Sequence, residues 1–416
     1  MSLINLIVVH PFGRSGSIFV QSLLDGHKNI LTLPHFGPIY NTISKRIVLS
    51  DPTQFKKEVK GFVSRHPDIF DTSKGYFGSG SSTVSGIFGE NNDEHIITDT
   101  DLFKKRILNL KNLYFSDSLE LSRKDFFILV YQSFFDLGPE NIKDIKYILY
   151  HPHDQHEIEN LVKDFPNMFF VGMTRNPLSD WNSFKKVLAH RMDVKIENVP
   201  RLMALNNALR YAKETFSFFL LEQKIKNKMM IDLIRLHKLN RKAMFKISEW
   251  LGIEFHESML KSTFCGKLWA GNAANRLSYN TFDKNKKDSY ENLNEEEVNF
   301  YKSVVNDCGC YLNYKLFFKK DQIVLESIDV RIYDYIKVHV FYFIRGQIRN
   351  IFGINTIEKR KGKHDYVMIL PRIIKLFLVH FPKHIKKSWN INDETRELII
   401  QNKHLRENYL KQDIFL

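Results

Sequence analysis

The stretch His10-Pro11-Phe12-Gly13-Arg14-Ser15-Gly16-Ser17 carries the residue types that hold a phosphate-like anion. Gly13 and Gly16 let backbone N–H groups approach a guest closely. Ser15 and Ser17 add hydroxyl donors, and Arg14 adds a fixed positive charge. It is not a Walker loop, because no Gly-Lys-Ser/Thr follows the first glycine at the required distance. An ordinary turn with surface serines is the competing reading of the same residues. Further along, Pro34-His35-Phe36-Gly37 and His151-Pro152-His153-Asp154 offer imidazoles that can take a proton near neutral pH. Thr174-Arg175-Asn176-Pro177 brings a second fixed cation, with Ser183 beyond it, and Gly266-Lys267-Leu268-Trp269-Ala270-Gly271-Asn272 is an irregular stretch with a cation and an aromatic ring.

The elements that must position these clusters follow from the apolar pattern. Leu3 to Val9 is a short β-branched apolar run and reads as a buried strand. Ile18, Phe19, Leu23 and Leu24 then recur at helical spacing, so the first cluster sits at a strand-to-helix turn. There the positive end of a helix dipole and unpaired N–H groups face a ligand. Ile30–Leu33, Ile145–Tyr150 and Met168–Met173 read as further strands, each running into a polar cluster. Helical periodicity separates them over residues 41–72, 99–138 and 155–162, and continues from Trp181 and from Arg201 to Leu251. Such alternation predicts an α/β fold, with a central parallel sheet flanked by helices and the polar clusters on the carboxyl edge where ligands bind. Ser73 to Asn92 is a Gly/Ser-rich loop with interleaved aromatics, of a length that suits a lid or disorder. Residues 294–307 read as a charged amphipathic helix.

Taken together, these motifs resemble the sulfotransferases that use 3′-phosphoadenosine 5′-phosphosulfate (PAPS), over roughly residues 1–320. Gly13-Arg14-Ser15-Gly16-Ser17 stands where that family has its strand–loop–helix for the 5′-phosphosulfate, with Arg14 in place of a common lysine. Arg175-Asn176-Pro177, with Ser183 eight positions after the arginine, matches the element that binds the 3′-phosphate. His153 stands at the separation from Arg175 that cytosolic members use for a catalytic base, although His151 replaces the lysine that precedes it there. Carbohydrate-type members place an acid after the second strand; here Pro34-His35 occupies that place and makes His35 a rival base. Lys267, Trp269, Gly271 and Asn272 lie where the family has a late loop over the nucleotide. The resemblance implies a nucleotide-kinase-like fold and in-line sulfuryl transfer from PAPS without a metal. The N–H groups of Gly13 to Ile18 and Arg14 would hold the phosphosulfate, Arg175 and Ser183 the 3′-phosphate. His153 would take the proton of a hydroxyl or amine acceptor, a glycan or glycolipid by preference.

Composition bounds the partners. A net charge of +14 over 416 residues points to anions, although the lysines are spread along the chain. Three cysteines, Cys265, Cys308 and Cys310, make neither a disulfide scaffold nor a zinc site, so a reducing compartment is expected. The N-terminal apolar run is short for a signal peptide, no stretch reaches the ~18 apolar residues of a membrane span, and a cytoplasmic location is expected. Abundant Lys, Asn, Ile and Phe suit a bacterium with an AT-rich genome. Residues 321–416 read as a basic, mainly helical extension. Within it, 366–387 combines an apolar stripe with cations, which suits either packing on the catalytic domain or peripheral contact with the inner face of a membrane. A nucleotide kinase, a nucleic-acid binder and a catalytically inactive membrane-surface adaptor remain alternatives. The missing P-loop lysine weighs against the first, the lack of a known nucleic-acid module against the second, and the two phosphate motifs against the third.

Overall fold

The structure, a computed structural model, describes residues 4–11, 13–74, 88–91, 93–137, 141–152, 155–192, 194–199, 203–204, 207, 225–269, 271, 282–283, 286–299 and 301. His153, Asn272, most of the Gly/Ser-rich loop and the whole extension 321–416, with the stripe 366–387, lie outside the described residues.

Apolar runs with few polar interruptions make strands that must be covered on both faces, and five of them form the central sheet. These are β1 (Asn5–Pro11), β2 (Ile30–Thr32), β5 (Tyr147–Tyr150), β6 (Phe169–Thr174) and β7 (Asn227–Asp232). Their order is β2-β5-β1-β6-β7, and every neighbouring pair is parallel. Alternation along β1 shows why the run is continuous. Leu6 and Val8 join Ile148 and Phe170 in one buried cluster, whereas Ile7 and Val9 join Leu149, Val171 and Met173 in another on the opposite face.

Two helices, α1 (Ser17–Leu24) and α8 (Leu233–Leu251), supply the apolar cover of the Ile7 and Val9 face through Val20, Leu23, Leu236, Met244 and Ile247. The other face is covered by α2 (Pro52–Arg65), α3 (Pro67–Phe70), α4 (Thr100–Phe115), α5 (Arg123–Phe134), α6 (Gln155–Asp164) and α7 (Pro177–Met192). Its core is rich in rings set edge to face, such as Phe70 on Phe103 at 4.8 Å and Phe127 on Tyr150 at 5.3 Å. Each such pair adds about 0.5–1.5 kcal/mol beyond burial.

Three places depart from the sequence reading. Within the stretch expected to be helical from Arg201 to Leu251, Asn227–Asp232 is a fifth parallel strand, bonded to β6. Its Lys-Met-Met core lacks the β-branched residues that announce a strand, and an edge position tolerates lysine. Residues 41–72 and 99–138 are helical only in part. β3 (Arg46–Val48) pairs antiparallel with β4 (Glu120–Ser122), a contact between segments too short to show alternation. The stretch expected to be irregular contains a hairpin, β8 (Thr263–Phe264) and β9 (Lys267–Leu268), turning through Cys265 and Gly266 at φ +48° and +75°. Asp25 at the end of α1 pins that turn, accepting from Thr263 Oγ1 at 2.8 Å, Cys265 N at 3.1 Å and Gly266 N at 3.2 Å.

Because the five strands run parallel, their carboxyl ends share one edge. Gly13–Ser17, Pro34-His35, His151-Pro152 and Arg175-Asn176 all emerge there. Among the described residues no helix is long and apolar enough to cross a membrane.

Candidate functional site

The turn between β1 and α1 is shaped by two left-handed residues, Gly13 at φ +68° and Gly16 at φ +81°. A Cβ at Gly13 would stand 2.5 Å from Asp180 Oδ1, and one at Gly16 would stand 2.5 Å from Leu233 Cδ1 at the start of α8. Gly16 caps α1 without a side-chain hydrogen bond, so the helix directs its first N–H groups into the turn. Ser15 is fully buried, and its Oγ has no hydrogen-bond partner among the described residues. An anion seated in the turn would satisfy that hydroxyl.

Asp180, on α7, holds the turn from the side. It is fully buried, one carboxylate oxygen accepts the Arg14 backbone N–H, and the other accepts from Asn207 Nδ2 at 2.8 Å. Three residues on, Ser183 Oγ accepts a hydrogen bond from Arg14 Nε at 3.3 Å. The Arg14 and Ser183 singled out in sequence as two separate phosphate elements therefore touch. They meet because β1 and β6 are neighbours in register, Pro11 beside Met173, so the segments leaving both strands lie side by side.

The next face of α7 carries Ser179, Asn182 and Lys185, at helical spacing, and receives the segment from residue 286 to 299. Ser289 N–H donates to Ser179 Oγ at 2.8 Å, and Asn182 Nδ2 donates to Ser289 O at 2.9 Å. A buried ion pair, Lys185 Nζ to Glu297 Oε2 at 2.8 Å, closes the join. This docking brings Lys286 close to Arg175, which follows β6, and to His237 on α8. The proximity shows in their acidity. Burial lowers His237 to about 4, Lys286 and Arg175 push it the same way, and Asp283 opposes them. Lys286 is likewise lowered by burial and then by Arg175. Asp283 N–H donates to His237 Nδ1 at 3.1 Å, and Phe19 stacks on the His237 ring at 4.7 Å. A half-buried group of cations beside aromatic faces suits an anionic, ring-bearing ligand.

On the other side of β1, Gln21 ties the histidine clusters to α1. Its Nε2 donates to Leu33 O at 3.2 Å and His35 O at 2.9 Å, while its Oε1 pairs with His151 Nδ1 at 2.9 Å. Since the amide nitrogen is spent on carbonyls, the oxygen must accept from His151. His35 itself pairs through Nδ1 with Asp68 Oδ2 at 2.7 Å.

The late-loop residues lie elsewhere in their contacts. Lys267 pairs with Glu94 at the surface, and Trp269 is 6% exposed in a cluster with Ile18, Phe88 and Phe264. Gly271 follows at φ +95°. Sequence reasoning missed Asp180, Lys286, His237 and Asp68. Each is a single charged or polar residue on an ordinary helix or loop, and only the fold brings it to the edge.

The sequence matches no family profile and no curated protein. Among solved structures, the chain is similar to the sulfotransferase domain of the Synechococcus PCC 7002 olefin synthase, at 13% identity and TM-score 0.33 over 79% of this chain and 92% of that one. It is similar to the sulfotransferase domain from the curacin biosynthetic pathway, at 14% identity and TM-score 0.37, over 79% of this chain and 97% of that one. Similarity to a sulfotransferase of Mycobacterium avium is 14% in identity with TM-score 0.32, over 61% and 65% of the two chains.

Proposed function

We propose that the protein transfers a sulfuryl group from PAPS to a hydroxyl or amine acceptor, a glycan or glycolipid. The observation that carries this reading is the contact between Arg14 and Ser183, which joins the turn after β1 to the helix after β6. A donor lying along both elements would meet Arg14 with one anionic group and Arg175 and Ser183 with another, and PAPS carries its 3′-phosphate apart from the 5′-phosphosulfate whereas ATP has no 3′-phosphate.

The chain's own groups suit each part of such a donor. N–H groups from Gly13 to Ile18, the Ser15 and Ser17 hydroxyls and Arg14 would surround the phosphosulfate and meet the charge that develops on the bridging oxygen. Arg175, Ser183 and Lys286 would hold the 3′-phosphate, and the rings of Phe19 and His237 border the same place. Transfer of this kind depends on positioning and charge neutralisation, as phosphoryl transfer does. The basic stripe 366–387 would suit a lipid-linked acceptor at the inner face of a membrane.

Calorimetric titration with adenosine 3′,5′-bisphosphate and with ATP tests the proposal. The bisphosphate is expected to bind more tightly, and Arg175→Ala to weaken it by about 1.5–3 kcal/mol for each charge-assisted bond lost. Tighter binding of ATP would sink the assignment. A screen of acceptors with labelled PAPS then reads the acceptor class.

A further inference from the structure

A relay of buried hydrogen bonds joins the far end of the docked segment to the turn after β1. Its members Asp180, Asn207 and Tyr301 are all fully buried. Asp180 takes the Arg14 N–H with one carboxylate oxygen, and the other accepts from Asn207 Nδ2 at 2.8 Å. The same amide nitrogen also donates to Tyr301 Oη, at 2.9 Å. A carboxylate can only accept, so the nitrogen of Asn207 must be the atom that faces Asp180. The Tyr301 ring lies along Trp181 of α7, with centroids 6.3 Å apart and planes 14° from parallel.

Each link constrains the next. Both groups that donate to Asp180 are neutral, and a buried carboxylate oxygen left unmet is costly. Asn207 meets the second oxygen, which leaves the first on the Arg14 N–H. The carboxylate also stands 2.5 Å from where a Cβ of Gly13 would be, so any rotation of it reshapes the turn. Tyr301 is placed by the segment that precedes it. Lys185 Nζ donates to Asn292 O at 3.0 Å and to Glu297 Oε2 at 2.8 Å, and Asn292 Nδ2 donates to Asn182 Oδ1 at 3.1 Å. That segment begins at Lys286, close to Arg175. One stretch of chain therefore reaches the cation group with its start and the turn after β1 with its end.

We propose that Asn207 and Tyr301 are positioning residues for the turn after β1, an inference that rests on the sulfuryl-transfer reading for what the turn holds. They act through Asp180 on the N–H groups that would meet the 5′-phosphosulfate. The two anionic ends of the donor are then served by one segment, Lys286 at the 3′-phosphate and Tyr301 at the turn. Loss of the Tyr301 hydroxyl loosens the 5′ end of the site and leaves the 3′ end as it was.

Calorimetric titration of the full-length protein separates the two ends. Adenosine 3′,5′-bisphosphate engages both, whereas adenosine 3′-phosphate gives the turn nothing to hold. Tyr301→Phe keeps the ring on Trp181 and removes only the hydroxyl. Asn207→Asp keeps the shape and replaces the donor with a second acceptor. Tyr301→Phe is expected to weaken the bisphosphate about threefold and Asn207→Asp about tenfold. Adenosine 3′-phosphate should bind both variants as it binds the wild type. Amide hydrogen exchange, followed without ligand, gives a second measure. Residues 13–17 should exchange faster in both variants while β1 and β6 keep their wild-type protection. An equal loss for the two nucleotides, or a turn that exchanges at the wild-type rate, overturns the positioning role. Faster exchange throughout the strands overturns it too, since the relay would then serve only the stability of the fold. A wild-type protein that fails to bind the bisphosphate overturns the donor assignment instead, and exchange at the turn then decides the relay alone.

Discussion

Gly13 has room for a hydrogen atom and nothing larger. Its φ of +68° lies where an L side chain costs about 1–2 kcal/mol, and the Asp180 carboxylate stands where a Cβ would go. That carboxylate also takes the Arg14 N–H, so the shape of the turn and the packing of α7 are one constraint. Gly13→Ala is therefore expected to lower the melting temperature modestly and bisphosphate affinity by tenfold or so, about 1.4 kcal/mol. Titration and thermal unfolding measure the two. Binding at wild-type strength would show that the turn tolerates reshaping, and with it that the turn is not the anion site. The glycines and Arg14 were legible in sequence because their meaning is local: a strand, a tight turn, a helix. Asp180 was not legible, because its role depends on a partner 166 positions away. Asp68 is hidden for the same reason, on a four-residue helix 33 positions from His35.

At the scale of elements, α7 acts as the join between the turn after β1 and the segment from residue 286 to 299. Asp180 and Ser183 turn one face to the turn after β1, while Ser179, Asn182 and Lys185 turn another to the segment that carries Lys286. The helix itself was legible from Trp181 by its apolar spacing, although it begins one turn earlier, at Pro177. Apart from Ser183, its polar residues were not, because serine, asparagine and lysine on a helix ordinarily face water. Strand β7 escaped notice because Met229 and Met230 fit a helix as well as a strand, and only the partner β6 decides. The cation group at this join yields a prediction. His237, lowered to about 4 by burial and by Lys286 and Arg175, regains a favourable setting for its charge when an anion arrives. Bisphosphate binding between about 4 and 6.5 should therefore draw a proton into the protein. The nucleotide's own phosphates titrate near about 6, so wild type is compared with His237→Gln in buffers of different ionisation enthalpy. The wild type should take up more protons than the variant. Equal uptake would place the anion away from His237.

For the molecule as a whole, the parallel sheet was legible because each strand is an apolar run followed by a polar cluster, and a sheet covered on both faces demands such runs. A shared edge for the clusters then followed from topology, and Gly13–Ser17, Pro34-His35, His151-Pro152 and Arg175-Asn176 all emerge there, whereas Lys267 and Trp269 make their contacts elsewhere. The net charge of +14 says less, because the lysines are spread along the whole chain. Buried histidines say more about how the fold answers to pH. His66 and His237 are both lowered to about 4, first by burial, and His27 is lowered too, again by burial, with its Nε2 paired to Glu254 O at 2.8 Å. The unfolded chain binds protons to all three near 6.5, whereas the folded chain accepts none at His66 or His237 until about 4. The stability they contribute is thus fully present above 6.5 and drains away as pH falls through 4. Asp25 works in the opposite sense, since burial raises its carboxyl above the ordinary 3.8, and its protonation on acidification relieves a cost. One carboxylate set against three histidines leaves the net slope toward instability in acid. The melting temperature, followed from above pH 6.5 down to about 4, should begin to fall near the upper limit. The fall should be shallower in the double variant His66→Gln, His237→Gln, whatever that variant loses at neutral pH. A wild-type midpoint that stays level until the carboxylates protonate would mean that these rings take protons in the folded state and that their surroundings are wetter than the packing indicates.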